Sequence, residues 1–397
     1  RRLIMLGAVL FFVGSLIMAI APTVAVLIVG RVLDGVGIGF ASVVGPLYIA
    51  EIAPAKIRGS LVTLNNVAIT GGILISYVTN QFIASAAIDA GLSWRVMLGL
   101  GMIPAVVLFV GIIFMPESPR WLVEENRESE ARSVLQRIRN GANIDAEMRD
   151  IMQMSKREEG DVRDLLEPWL RPVLVVGLGL AILQQITGIN AVVYYAPTIL
   201  TAAGYSDIAS LFGTIGIGSI NVLFTVVAVV TVDRVGRRPL LLTGLVGMLV
   251  SQTILAGAYL VSGMGGIIGP VTIASLMLFV ACHAVSLGSV VWLVISEIFP
   301  LNLRGAAMGV TTLVLWFSNF LVAQFFPSLF EIGPAVAFGV FAGIAAVGFA
   351  FVYAFVPETK GRSLEEIEAE LRETSGEHSL SEQAESVEAD SAESVDD

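Results

Sequence analysis

The 397-residue chain has one cysteine, Cys282, and two histidines, His283 and His378. A lone cysteine excludes a disulfide framework and a cysteine-based metal site. The two histidines do not make a metal site together either. Charge is scarce as well: Asp, Glu, Lys and Arg supply 14% of the residues, against about 25% in a soluble domain. No nucleophile–base set, metal-ligand cluster or Walker loop stands in the sequence. The glycines of GVGIG at 35–39 lie inside an apolar run with no strand before them, so they are not a phosphate loop. These absences exclude an ordinary water-soluble enzyme and ATP hydrolysis. No cofactor, no metal and no nucleic-acid partner is expected.

What the chain has instead is grease. Apolar residues make up 55% of it, mostly in runs of 18 or more, the length that crosses a bilayer as a helix. Ten such spans are expected: 3–21, 24–48, 61–86, 93–115, 171–202, 207–232, 239–262, 271–295, 306–330 and 334–356. The fold class is therefore all-α and polytopic, with the lipid bilayer as its solvent. Arg1-Arg2 runs straight into a full-length span, so no signal peptide is read there.

The outer connections lack Lys and Arg. With Arg1 and Arg2 placed in the cytoplasm and sides alternating, every one of the 23 Lys and Arg residues falls inside except Arg31, within a span, and Arg95, at an outer helix end. This is a positive-inside pattern and puts both ends of the chain in the cytoplasm of a cell-membrane protein. The net charge of −11 owes −8 to Thr374–Asp397, which is read as a disordered acidic tail.

Polar punctuation recurs between the spans. EIAPAKIRG at 51–59 returns as EIFPLNLRG at 297–305, RR at 1–2 as RR at 237–238, and PESPRWL at 116–122 as PETKGRSL at 357–364. The offsets of 246, 236 and 241 residues mark two homologous halves. Two spans precede the second RR within its half and none precedes the first, so ten of twelve helices are expected, the equivalents of the first two being absent. The expected domains are 1–116, an N-terminal bundle (helices 3–6); 117–170, a helical cytoplasmic linker; 171–358, a C-terminal bundle (helices 7–12); and 359–397, a cytoplasmic helix and acidic tail. Within the linker, Ala131, Val134, Leu135 and Ile138 recur at helical spacing; 144–154 is a second helix. Leu364, Ile367 and Leu371 suggest a short one after PETKGRS.

GRVLDGVGIG (30–39), PLYIAEIAPAKIRG (46–59), PESPRWL, QQITGINAVVYYAP (184–197), DRVGRRP (233–239), EIFPLNLRG and PETKGRS (357–363), in this order, resemble the sugar porter family of the major facilitator superfamily, which includes glucose and xylose transporters. The similarity runs from Arg1 to about Arg372. It implies two pseudo-symmetric helical bundles around a central cavity, working by alternating access.

The residues carry a physical reading beside that resemblance. Glu51–Arg58 and Glu297–Arg304 share one spacing at the ends of spans, where charges that pair in one conformation only bias a two-state gate. The resemblance extends this network to Glu117, Arg120, Arg234, Arg237, Arg238 and Glu358; positive-inside anchoring and helix capping are the plainer alternative. Gln184, Gln185 and Asn190 are costly in hydrocarbon unless they meet partners or a cavity. On an ideal helix Gln184 and Asn190 lie about 240° apart, so convergence on one ligand requires a distortion, and Gly188 and Pro197 stand where one would occur. Amides both donate and accept, which suits sugar hydroxyls; Tyr194 and Tyr195 would cap such a site. The resemblance adds Asn66, Asn221, Trp292, Trp316 and Asn319 to the cavity lining; interhelical amide bonding and interfacial Trp are the alternatives.

Arg31 and Asp34 lie three apart, so one helix face can pair them. Asp34 is read as neutralising Arg31, with proton coupling as the other role. Gly30, Gly35, Gly37 and Gly39 are expected to permit close helix approach. The tenth-helix family pattern has Pro where this chain has Ser289, which puts the hinge there in question. Many relatives carry Gln where Asn66 stands. His283 is read as a packed histidine, with selectivity as the alternative. The expected activity is secondary transport of a monosaccharide by a monomer, with a proton gradient as one driving force. A non-transporting sugar sensor and a carrier of polyols, inositol or small organic acids are the rivals.

Overall fold

The computed structural model describes residues 1–53, 55–86, 89–139, 144–155, 162–261, 266–300 and 303–360, and their side chains except at 50, 55–60, 62–63, 90, 150 and 154–155. The expected helix after PETKGRS and the acidic tail lie outside the described residues. The rest is helical, in two compact units, Arg1–Glu158 and Glu159–Asp397.

The first unit holds α1 (Arg2–Ile20), α2 (Val24–Ile52), α3 (Ala55–Ser85), α4 (Ala90–Gly99) and α5 (Met102–Ile113). It continues with three short helices, α6 (Pro119–Glu124), α7 (Glu128–Ile138) and α8 (Asp145–Ser155). The second unit runs α9 (Arg171–Ile186), α10 (Ile189–Ala202), α11 (Asp207–Val235), α12 (Arg237–Leu260), α13 (Ile268–Val285), α14 (Leu287–Ile298), α15 (Arg304–Ile332) and α16 (Pro334–Phe355). Counting α4–α5, α9–α10 and α13–α14 as single broken crossings, ten segments among the described residues are long and apolar enough to span a membrane. They match the ten expected runs.

Lipid gives apolar helices no hydrophobic reason to associate, so close approach and hydrogen bonds hold them. α1 and α2 show this. A Cβ at Gly14 would come within 2.7 Å of Gly30 O and of Asp34 N, and one at Gly37 within 2.7 Å of Gly7 O. Gly35 and Gly39, expected to serve the same purpose, have nothing within 4 Å of a built Cβ; they fall on other faces of α2. Thr23 starts α2 by accepting the Val26 N–H on Oγ1 (3.4 Å), and Ser118 and Ser206 cap α6 and α11 in the same way.

In the second unit α9 to α16 share one apolar core, with Leu180, Ile199, Leu241, Val291 and Phe338 fully enclosed. The linker builds a small core of its own. Ala131 and Leu135 of α7, both at 0% exposure, pack with Leu122, Ile144, Met148 and Ile151. Val134 is only partly buried against that cluster. Arg139 ties this layer to the end of α2, donating to Ile52 O (2.9 Å) while pairing with Glu147 (2.6 Å).

Candidate functional site

The Gln184–Asn190 stretch is a broken helix. α9 stops at Ile186, Gly188 has φ of +98°, and α10 starts at Ile189. That φ lies in the left-handed region, which costs an L-residue about 1–2 kcal/mol; glycine adopts it freely. The Phe341 ring also packs 3.0 Å from where a Cβ would stand.

The break turns Asn190 back onto α9, but onto Gln185 rather than Gln184: Asn190 Nδ2 donates to Gln185 Oε1 at 2.5 Å. Gln184, buried, points elsewhere and donates from Nε2 to Leu287 O at 3.1 Å. Neighbouring residues on a helix diverge by about 100°, so only one of the two glutamines can face the start of α10. In this structure Asn190 is paired with Gln185, while the Gln184 amide faces Leu287. Further along α10, Tyr194 Oη accepts from Asn319 Nδ2 of α15 (3.3 Å), and Tyr195 Oη donates to Ala323 O (3.1 Å). Buried amide oxygens Gln184 Oε1 and Asn319 Oδ1 and the Thr187 hydroxyl have no partner among the described residues. Buried acceptors left open in this way are available to hydroxyl donors.

Trp292 is half-buried against the second unit's core, whereas Trp316 is 42% exposed. Asn221 on α11 is half-buried, and its backbone oxygen accepts from Thr225. Asn66, half-buried on α3, belongs to the first unit. No hydrogen bond joins Trp292, Trp316 or Asn221 to the amide cluster among the described residues.

The crossing that carries Ser289 is also broken, at Ser286 (φ −109°, ψ −100°), with no proline beside the break. Interrupting a helix orphans carbonyls. Here a hydroxyl takes one, Ser289 Oγ donating to Ala284 O (2.8 Å); Ser286 Oγ adds a second bond (2.6 Å) to Cys282 O, which already accepts the Ser286 N–H (3.2 Å). The crossing is therefore interrupted even though Ser289 stands where the family pattern has Pro. His283, buried one turn before it, places Nε2 3.2 Å from Gln184 O.

The charged residues meet at helix ends. Glu358 lies across the start of α12 and takes the backbone N–H of Arg237 (3.0 Å) and of Arg238 (3.1 Å) on its two oxygens, where the helix dipole favours an anion. The Arg237 guanidinium reaches Glu297 (2.9 Å) and Asp233 (3.3 Å). Thr359 Oγ1 donates to Glu297 Oε2 (2.5 Å), and Lys360 Nζ to Arg234 O (2.6 Å). Arg238 binds Tyr353 O (2.6 Å) and covers its ring. Arg304 is half-buried near the start of α15, its Nε without a bonded partner among the described residues. Asp233, Thr359 and Lys360, inside the motifs DRVGRRP and PETKGRS, join this network too; in the sequence only their place next to the named charges signals it.

In the first unit Arg1 Nε lies 3.5 Å from Glu117 Oε1, and Tyr48 Oη donates to Pro116 O (2.6 Å). Arg120 is half-buried beside them in sequence and takes part in an interaction of its own. Glu51 is half-buried at the end of α2; the Arg58 side chain lies outside the described residues. Arg31 and Asp34 do not pair. Asp34 is buried against α1, where its Oδ1 accepts from Ser15 Oγ (3.3 Å), and Arg31 is exposed. Shared spacing placed both on one side of α2, but the Gly14–Gly30 approach seals Asp34 into the seam. Arg95 donates to Ala21 O (2.5 Å) and stacks on Trp94, beside a recess of about 290 Å³ that touches none of the candidate residues.

Ten apolar crossings, three of them interrupted and two of those lined with amides and hydroxyls, define a multi-span carrier. The profile of the family described as "Sugar (and other) transporter" matches residues 1–371, and the chain belongs to that family. It is 42% identical to the glucose transporter GlcP of Staphylococcus epidermidis, over 95% of this chain and 83% of that protein. It is 41% identical to the major myo-inositol transporter IolT of Bacillus subtilis, over 94% and 80%. Among solved structures it matches the proton:xylose symporter XylE bound to 6-bromo-6-deoxy-D-glucose, with a TM-score of 0.78, 34% identity, and 93% and 82% of the two chains covered. These are membrane transporters of the major facilitator superfamily, and on that ground the chain is a transporter rather than an enzyme.

Proposed function

We propose that the chain carries a monosaccharide across the cell membrane by alternating access, as a monomer with both ends of the described chain in the cytoplasm. The observation that carries this reading is the amide cluster at the Gly188 break, where Gln185 and Asn190 pair and Gln184 Oε1 is left open. Discontinuous helices are the usual binding elements of secondary transporters. On this reading Gln184, Gln185, Asn190, Tyr194, Tyr195, Asn221, Asn66, Trp292, Trp316 and Asn319 line the path, and the Arg237–Glu297–Glu358 cluster belongs to the inner gate with Glu51, Arg58, Glu117, Arg120, Arg234, Arg238 and Arg304. The ten spans correspond to helices three to twelve of a twelve-helix pattern. Similarity to a proton:xylose symporter supports a proton gradient as the driving force, with Asp34 and Arg31 as the candidate coupling groups.

Similarity to a myo-inositol transporter favours a second substrate class, the cyclic polyols. Uptake into proteoliposomes tests both. Labelled D-glucose, D-xylose and myo-inositol, each with and without an inward proton gradient, should show accumulation of at least one that collapses with the gradient. Binding without accumulation would indicate a sensor and reject the transport reading.

A further inference from the structure

Two helix breaks lie against each other in the second unit, and one histidine joins them. α9 packs on α14. At the α9 break the Gly188 N–H turns to Gln185 O (3.1 Å) instead of Gln184 O, its partner in a continuous helix. The Gln184 carbonyl is thereby orphaned. His283 Nε2 takes it at 3.2 Å; a carbonyl only accepts, so that nitrogen carries the proton. The Gln184 side chain crosses the other way, with Nε2 donating to Leu287 O (3.1 Å). His283 stands before the Ser286 break and Leu287 after it, so one glutamine is tied to both sides of that junction. With Nε2 used, Gln184 Oε1 has one orientation left, and it is buried without a partner among the described residues. The imidazole fits because Gly288 leaves it room: a Cβ there would stand 3.3 Å from His283 Nδ1. The Phe279 ring packs nearby, its centre 6.3 Å from that of the imidazole.

We propose that His283 is a positioning residue for transport, holding Gln184 across the two breaks so that Oε1 is presented as the acceptor for a hydroxyl of the sugar. The proposal rests on the transport reading above. A phenyl ring would fill the same space but could not donate; an amide could.

The test uses the full chain in proteoliposomes and whichever of D-glucose, D-xylose and myo-inositol exchanges fastest. His283→Phe should raise the KM of counterflow about tenfold or more with Vmax little changed, and His283→Gln should restore most of it. Positions acting as a unit are non-additive, so His283→Phe combined with Gln184→Ala should be no worse than Gln184→Ala alone. Additive losses, no rescue by Gln, or an unchanged KM would overturn the proposal. If the parent chain exchanges none of the three, the transport reading fails, and the latch is judged on the ring itself. The chain has only two histidines, so ¹⁵N-histidine NMR of His378→Gln in nanodiscs sees one ring. The Nε2–H tautomer, slow to exchange with water, is expected; an Nδ1–H tautomer or a freely exchanging Nε2–H overturns it.

Discussion

Arg237 holds Glu297 with two donors, Nη2 to Oε1 at 2.9 Å and Nε to Oε2 at 3.3 Å. The side chains are 11% and 23% exposed, so solvent replaces the pair poorly. Removing one partner of a buried pair costs about 3–5 kcal/mol, and removing both can cost far less. For this partly exposed pair, about 1–3 kcal/mol is expected from Arg237→Gln or Glu297→Gln alone. Thermal unfolding in detergent should show each single variant less stable than the double variant. A double variant as unstable as the sum of the singles would mean the two groups act separately.

At Gly188, alanine meets both a positive φ and the Phe341 ring. Gly188→Ala should lower stability by about 1–3 kcal/mol and weaken sugar binding with it. Phe341→Leu in the same chain should recover the steric part and leave the backbone part. An unchanged melting temperature in Gly188→Ala would show that α9 and α10 do not need this turn.

The seam between α1 and α2 gives a paired comparison. A Cβ at Gly14 would stand 2.7 Å from the Gly30 carbonyl, whereas one at Gly35 meets nothing within 4 Å. Overpacking against backbone costs about 1–3 kcal/mol. Gly14→Ala should therefore lower the melting temperature and Gly35→Ala should not; equal effects would contradict the close approach.

Ser289→Ala removes the donor that occupies Ala284 O. The loss should be about 1 kcal/mol, as for other hydroxyls bonded within membrane proteins, and should appear as faster amide exchange around Ser286. Unaltered exchange there would mean the hydroxyl is dispensable at the break.

The spans were legible because a bilayer demands unbroken apolar length, which composition displays directly. The face of α7 was legible for the same kind of reason: Ala131 and Leu135 are one turn apart, and both are fully buried. The echo of RR and PES against RR and PET also has a spatial counterpart, since Arg1 lies by Glu117 and Arg237 by Glu358. What spacing does not carry is the neighbour. It put Arg31 and Asp34 on one side of α2 but said nothing of Ser15 on α1, which takes Asp34 instead. It put a distortion near Gly188 but not the choice of Gln185 over Gln184 as the partner of Asn190. The break at Ser286 has no proline to announce it. Only the bond from Ser289 to the orphaned Ala284 carbonyl marks it, and that depends on where the chain bends.

Asn190 offers the most direct measurement, because its side chain reaches the amide cluster and caps neither α9 nor α10. Counterflow of labelled sugar by proteoliposomes carrying the full chain or Asn190→Ala should show saturable exchange in the first. In the second, apparent affinity should fall about tenfold or more, equal to about 1.4 kcal/mol, with the fold retained and stability lowered by no more than the about 1–3 kcal/mol that an unpaired Gln185 Oε1 costs. Saturable exchange with the same affinity in both would contradict a sugar site built on the broken α9–α10 crossing.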